Sequence, residues 1–162
     1  MRRGERASAR RSTARGYGLV AVLVLLALAS LALSVAAQSW SADARRDKEQ
    51  QLLRIGTLYV QALERYRRSS PGTDKRLPQE LAELQRDERF VGTVRHLRQL
   101  YPDPVGATGQ WGIVRGDDGR VRGVYSLSEA EPLISGPVRR PGVRLAAARR
   151  YSDWKFVVDS EQ

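Results

Sequence analysis

From Gly16 through Ala42 the chain carries no charged residue, and residues 17–37 are almost entirely Leu, Val, Ala and Ser. As an α-helix those residues are about 31 Å long, matching a bilayer core of roughly 30 Å. The run has no polar face, whereas a helix packed on a soluble core keeps one. The pattern predicts a membrane-inserted helix. Past it the pattern becomes one-sided. Leu52, Ile55, Tyr59, Ala62 and Tyr66 recur at alternating intervals of three and four, which is one face of a helix. Arg54, Gln61, Glu64, Arg65 and Arg68 fall between them, and Arg45/Glu49 and Glu64/Arg68 stand at i,i+4 on the side assigned to solvent. No proline interrupts residues 17–70, and Gly56 is the only helix-weakening residue after the apolar run. One helix of about 53 residues is predicted, its first half apolar all round and its second half packed on a domain.

Ser69-Ser70-Pro71-Gly72 is a helix stop. The segment Leu77-Pro78-Gln79-Glu80-Leu81-Ala82-Glu83-Leu84 predicts a short helix, with Pro at its first position and acids in its first turn. Phe90, Val94, Leu97 and Tyr101 form a second apolar stripe, ended by Pro102-Asp103-Pro104. His96 lies beside that stripe and is expected in solvent; with no second His and no Cys, it predicts no metal site. Trp111–Arg115 and Arg120–Leu127 flank Gly116-Asp117-Asp118-Gly119, the pattern of a hairpin. A looser segment containing Pro132, Gly136, Pro137, Pro141 and Gly142 comes next. A last strand, Tyr151–Val158, alternates Trp154, Phe156 and Val158 with Lys155 and Val157. The expectation is an α+β fold in which about three antiparallel strands cover one face of the long helix.

The net charge of +10 changes the picture at one end only. Arg2, Arg3, Arg6, Arg10, Arg11 and Arg15 precede the apolar run against the single acid Glu5, so half of that charge sits in a short tail. Such a tail stays in the cytoplasm and sends the C-terminal part of the chain across the membrane. Beyond residue 42 the basic residues are interspersed with all the remaining acids, so nucleic acid is not the expected partner despite a pI near 10.8. Arg139, Arg140, Arg144, Arg149 and Arg150, with Tyr151 and Trp154 close by, are a mix that suits single-stranded nucleic acid; a solvated loop and strand edge is the preferred reading. The absence of cysteine rules out a disulfide framework and permits a periplasmic location. No nucleophile elbow, phosphate-binding glycine loop or metal triad is present, and the chain is not expected to be an enzyme.

Three starts fit the first forty residues: an unprocessed signal anchor, a secretory signal cut after Val35-Ala36-Ala37, and a junction at Gly16-Tyr17. The last resembles the signal of type IV pilins and type II secretion pseudopilins, a basic leader ending in Gly before an aromatic residue and an apolar helix. The order of elements is similar too. Leu100-Tyr101-Pro102-Asp103-Pro104-Val105-Gly106 through Trp111 looks like the family's Asp-Pro-aromatic-Gly turn. Gly123-Val124-Tyr125-Ser126-Leu127-Ser128 looks like the strand that comes after it in major pseudopilins.

The resemblance implies a leader over 1–16, a transmembrane helix over 17–37, a soluble half-helix over 38–70 and a pilin-like head over 71–162. It implies cleavage between Gly16 and Tyr17 by a prepilin peptidase and methylation of the new Tyr17 terminus. It implies a single-pass protein of the bacterial inner membrane, head in the periplasm, with other pseudopilins and secretion-platform proteins as partners. The implied function is support of protein export through a type II secretion pseudopilus. The alternatives are a DNA-handling pilin and a plain membrane-anchored adaptor. At the fifth mature position, where the family has Glu, this chain has Ala21. Calcium, carried by some members, would have to draw on Glu129, Glu131, Asp117 or Asp118; turn chemistry explains the last two better, and no cofactor is expected.

Overall fold

The computed structural model describes residues 14–73 and 75–159. The chain divides into two compact units, Met1–Ala44 and Arg45–Gln162. Helix α1, Ala14–Arg68, supplies residues to both. Five strands lie beyond it: β1 (Trp111–Arg115), β2 (Val121–Ser126), β3 (Val138–Arg140), β4 (Val143–Leu145) and β5 (Lys155–Val157).

In the first unit the large apolar side chains from Tyr17 to Leu33 are all exposed. Ser30 turns its hydroxyl back onto the Leu26 carbonyl at 2.8 Å, so it adds no polar face. Among the described residues no helix is long and apolar enough to cross a membrane. The described side chains of the run stop at Leu33, and the rest of the predicted span, residues 34–37, lies outside them.

In the second unit α1 buries the predicted stripe of Leu52, Ile55, Tyr59, Ala62 and Tyr66, and a second row beside it, Leu53, Val60 and Leu63. The face is wider than the spacing predicts because two surfaces cover it. One is a three-stranded antiparallel sheet in the order β1-β2-β5, with Trp111 opposite Ser126 and Val124 opposite Phe156. Trp154, Phe156 and Val158 alternate inward as expected. Trp111 meets Tyr59 edge to face at 5.5 Å and Phe156 at 6.3 Å, contacts of about 0.5–1.5 kcal/mol each beyond burial. The other surface is the segment between α1 and β1, which contributes Leu84 and Leu97 to the core.

That segment departs from expectation. The short helix predicted from Pro78 is a 3-10 turn over Leu81–Leu84. The Pro78 carbonyl is taken by the Val121 amide at 2.8 Å, which keeps the chain extended there. At the other end the Leu84 carbonyl accepts the amides of both His96 and Leu97, so the turn cannot propagate as a helix. The Phe90–Tyr101 stripe is likewise not helical; Asp87 and Val94 form an isolated antiparallel bridge instead. The segment expected to be loose contains a two-stranded ribbon, β3 with β4, turned by Pro141-Gly142. The last strand is shorter than predicted, since Tyr151–Asp153 is a 3-10 turn tied to Ala130 and Ser128 by backbone hydrogen bonds.

Candidate functional site

Of the residues at the predicted processing junction, Gly16 lies within α1, and Tyr17 and Ala21 are exposed on it. Residues 1–13, with most of the basic leader, lie outside the described residues. Eleven large apolar side chains between Tyr17 and Leu33 face outward. At about 1.5–3 kcal/mol for each fully buried side chain, covering them is worth on the order of 20 kcal/mol. No charged group interrupts that surface.

In the second unit, buried polar anchors fix the loops to α1 and to the sheet. The first joins the turn that follows Tyr101 to strand β2. Asp103, buried, accepts a hydrogen bond from the Ser126 hydroxyl at 2.6 Å and from the Val105 amide at 3.0 Å. Its own amide donates to Gly109 at 2.8 Å, which closes the turn. Tyr101 completes it, its carbonyl accepting from the Tyr59 hydroxyl at 3.0 Å and the Trp111 indole at 2.8 Å. Burial pushes the Tyr59 hydroxyl up to about 12, so it remains a donor at neutral pH.

The second anchor is Glu49, expected in solvent and in fact only 2% exposed. Its side chain accepts the amides of Leu133 and Ile134 and the hydroxyl of Tyr151, at 2.6, 3.1 and 2.7 Å. Burial and the bond to Glu49 both raise the Tyr151 pKa. Register, not charge, decides which side of α1 it takes. Glu49 stands three residues ahead of Leu52, in line with the buried stripe.

The third anchor corrects His96, which is 7% exposed and not solvated. Its Nε2 lies 2.9 Å from Oδ2 of Asp87, itself 1% exposed. Arg89 grips Asp87 with two hydrogen bonds, Nε to Oδ1 at 2.8 Å and Nη2 to Oδ2 at 2.6 Å. The same guanidinium bonds Ser70 and the Tyr66 carbonyl, and lies 3.6 Å above the Tyr66 ring. Burial works against the Asp87 charge, but the bonds from Arg89 and His96 outweigh it and hold the carboxyl down at about 2. A carboxylate only accepts, so the His96 Nε2 carries the proton. Tyr66 donates to Glu83, and burial together with that bond raises its pKa. No pattern in the sequence marks this cluster, since its members come from a helix end and an irregular loop.

Among the described residues no buried side-chain polar atom lacks a partner, and no group of three or more His, Cys, Asp or Glu is placed to hold a metal ion. Of the acids considered for calcium, Asp118 accepts the Arg120 amide in its own turn and Glu129 pairs with Arg150. A cleft of about 540 Å³ is lined by Tyr66, Ser70, Glu83, Arg89 and Arg120, among others. Each of these five side chains is already hydrogen-bonded within the protein. The basic cluster is exposed, but Tyr151 and Trp154 are buried and pack on each other at 5.6 Å, so neither offers a face to a base. Compared with known proteins, the chain matches no family model, no curated protein and no solved structure.

Proposed function

We propose that the chain is a pseudopilin-like subunit of a type II secretion system, anchored in the bacterial inner membrane with its head in the periplasm. The observation that carries the reading is the uncovered apolar surface from Tyr17 to Leu33. The buried core of the second unit draws only on later residues, so it does not account for that surface. Lipid and other helices are the surroundings that suit such a surface. Both are used in turn by a subunit that waits in a bilayer and then joins a fibre around a common axis. The work is mechanical and needs no catalytic centre. The basic tail supplies the orientation.

The hydrogen bond between Asp103 and Ser126 supports the family reading of the head, since it joins the two stretches on which the resemblance rests. Among rival readings, a DNA-handling pilin is weakened by the burial of Tyr151 and Trp154.

The test is the mature amino terminus. Mass spectrometry of the membrane-extracted protein is expected to find a methylated Tyr17, and Gly16→Val to leave the longer precursor. Gln38 at the terminus would replace this reading with a secreted domain, and Met1 or Arg2 with an unprocessed anchor. Steeply salt-dependent binding of duplex DNA, about 0.9 log units per contacted phosphate per log of salt, would favour the DNA-handling alternative.

A further inference from the structure

The β3–β4 ribbon holds two like charges side by side. Arg139 is paired in register with Arg144. Val138, Val143 and Leu145 are buried in the core, and the strand alternation then turns Arg139 and Arg144 together toward solvent. Residues directly opposed across a ladder have Cβ atoms about 4.5–5.5 Å apart, and like charges there repel. Neither arginine side chain makes a hydrogen bond or ion pair among the described residues, and Arg140 next to them is exposed as well. Nothing among the described residues uses this pair. Two adjacent guanidinium forks suit phosphate oxygens.

Arg140 at the end of β3 and Pro141 of the turn line a groove of about 700 Å³ with Asp47, Gln50, Gln51 and Arg54 of α1. Asp47, the acid of that groove, makes no ion pair with Arg140 among the described residues. It stands ten positions after the last residue of the apolar run, Ala37, at most about 35 Å of chain. A membrane holding that run is therefore within short reach, and a tethered surface meets it at high effective concentration.

We infer that the Arg139–Arg144 ribbon is a docking surface for the phosphate headgroups of an anionic bilayer. The inference rests on the membrane anchoring proposed above. It gives the head a docked and an undocked state at the membrane surface, set by lipid charge and salt.

The full chain contains no cysteine, so Gly136→Cys gives a single labelling point two residues before β3, where an added Cβ meets nothing within 4 Å. An environment-sensitive fluorophore at this point is read in vesicles of phosphatidylcholine, with or without phosphatidylglycerol, that also carry a headgroup quencher. Quenching is expected in the anionic vesicles and is expected to fall as salt rises. Replacing both arginines by alanine should lower the docking constant roughly twenty-five-fold, from about 1 kcal/mol per arginine. Removing the repulsion leaves the buried face untouched, and circular dichroism checks that the variant is folded. Equal quenching in neutral and anionic vesicles, or no change in the double variant, overturns the proposal. So does arginine-dependent binding of duplex DNA with the label unquenched on anionic vesicles. Flotation separates the two readings. Failure to float with neutral vesicles removes the anchor, and the ribbon is then read from arginine-dependent flotation with anionic vesicles alone.

Discussion

The Asp103 carboxyl and the Ser126 hydroxyl meet at 2.6 Å across 23 positions of chain, and both residues are buried. Ser126 also accepts the Ser128 amide at 3.1 Å, so one hydroxyl fixes a turn and the exit from β2. Ser126→Ala leaves an oxygen of Asp103 and the Ser128 amide without these partners. A loss of about 1–3 kcal/mol is expected in urea unfolding. Gly106→Ala tests the same junction from the other side. Its Cβ would stand 2.5 Å from Oδ2 of Asp103, an atom held in place by Ser126. It should destabilise, and an unchanged unfolding midpoint would show that the turn relaxes freely.

Gly56 is the helix-weakening residue within the packed part of α1, and its lack of a side chain is what admits the Phe156 ring. A Cβ there would overlap three carbons of that ring, Cγ, Cδ1 and Cε1. In an exposed helix Gly→Ala stabilises by about 1 kcal/mol. Here Gly56→Ala is expected to destabilise by about 1–3 kcal/mol through overpacking. Combining it with Phe156→Leu should recover part of the loss, and a double-mutant cycle measures the coupling.

Asp87 predicts an acid limb. Its carboxyl titrates at about 2 in the fold against 3.8 in a free chain. A depressed value means the stabilisation is present in full above about pH 4 and disappears as pH falls from about 4 to about 2. The amount is about 2 kcal/mol. Urea midpoints of the native chain and of Asp87→Asn should therefore converge across that window. A constant gap between them would show that the Arg89 and His96 contacts do not depend on the charge.

The apolar segment carries a prediction about assembly. An amino terminus freed at Tyr17 and buried among helices carries a desolvation cost of several kcal/mol, and no acid lies between Tyr17 and Ala42 to offset it. Under the pseudopilin-like function proposed above, long homopolymers are therefore expected to form poorly, and the chain to act in low copy or at a fibre end. Ala21→Glu should increase self-association, measured by cross-linking after membrane extraction. Abundant native filaments, or no response to Ala21→Glu, would remove the charge-pairing argument.

Elements carrying their own period were legible in the sequence. Leu52 to Tyr66, the hairpin of β1 and β2, and the inward row Trp154-Phe156-Val158 all come from spacing alone. What spacing cannot show is a polar group whose partner lies far along the chain. Register with Leu52 puts Glu49 on the buried face, but the partners that satisfy it there, Leu133, Ile134 and Tyr151, are 84 to 102 positions away. His96 looked idle because Asp87 reaches it only after the loop has closed. The ribbon of β3 and β4 was hidden by Pro141 and Gly142, which make a turn where looseness was expected. At the predicted junction of Gly16 and Tyr17 the structure adds only the exposure of Tyr17 and Ala21.

The seat of Phe156 on Gly56 also sets a schedule. The two residues are 100 positions apart, and Tyr151 is 102 positions from its partner Glu49. The packed face of α1 emerges in synthesis about 100 residues before the strand that closes over it. At roughly 5–20 residues per second, that face waits some 5–20 s for its cover. For that interval Leu52, Tyr59 and Leu63 are available to any other apolar surface. A chain cut short before β5 keeps the adhesive face and lacks the strand that covers it.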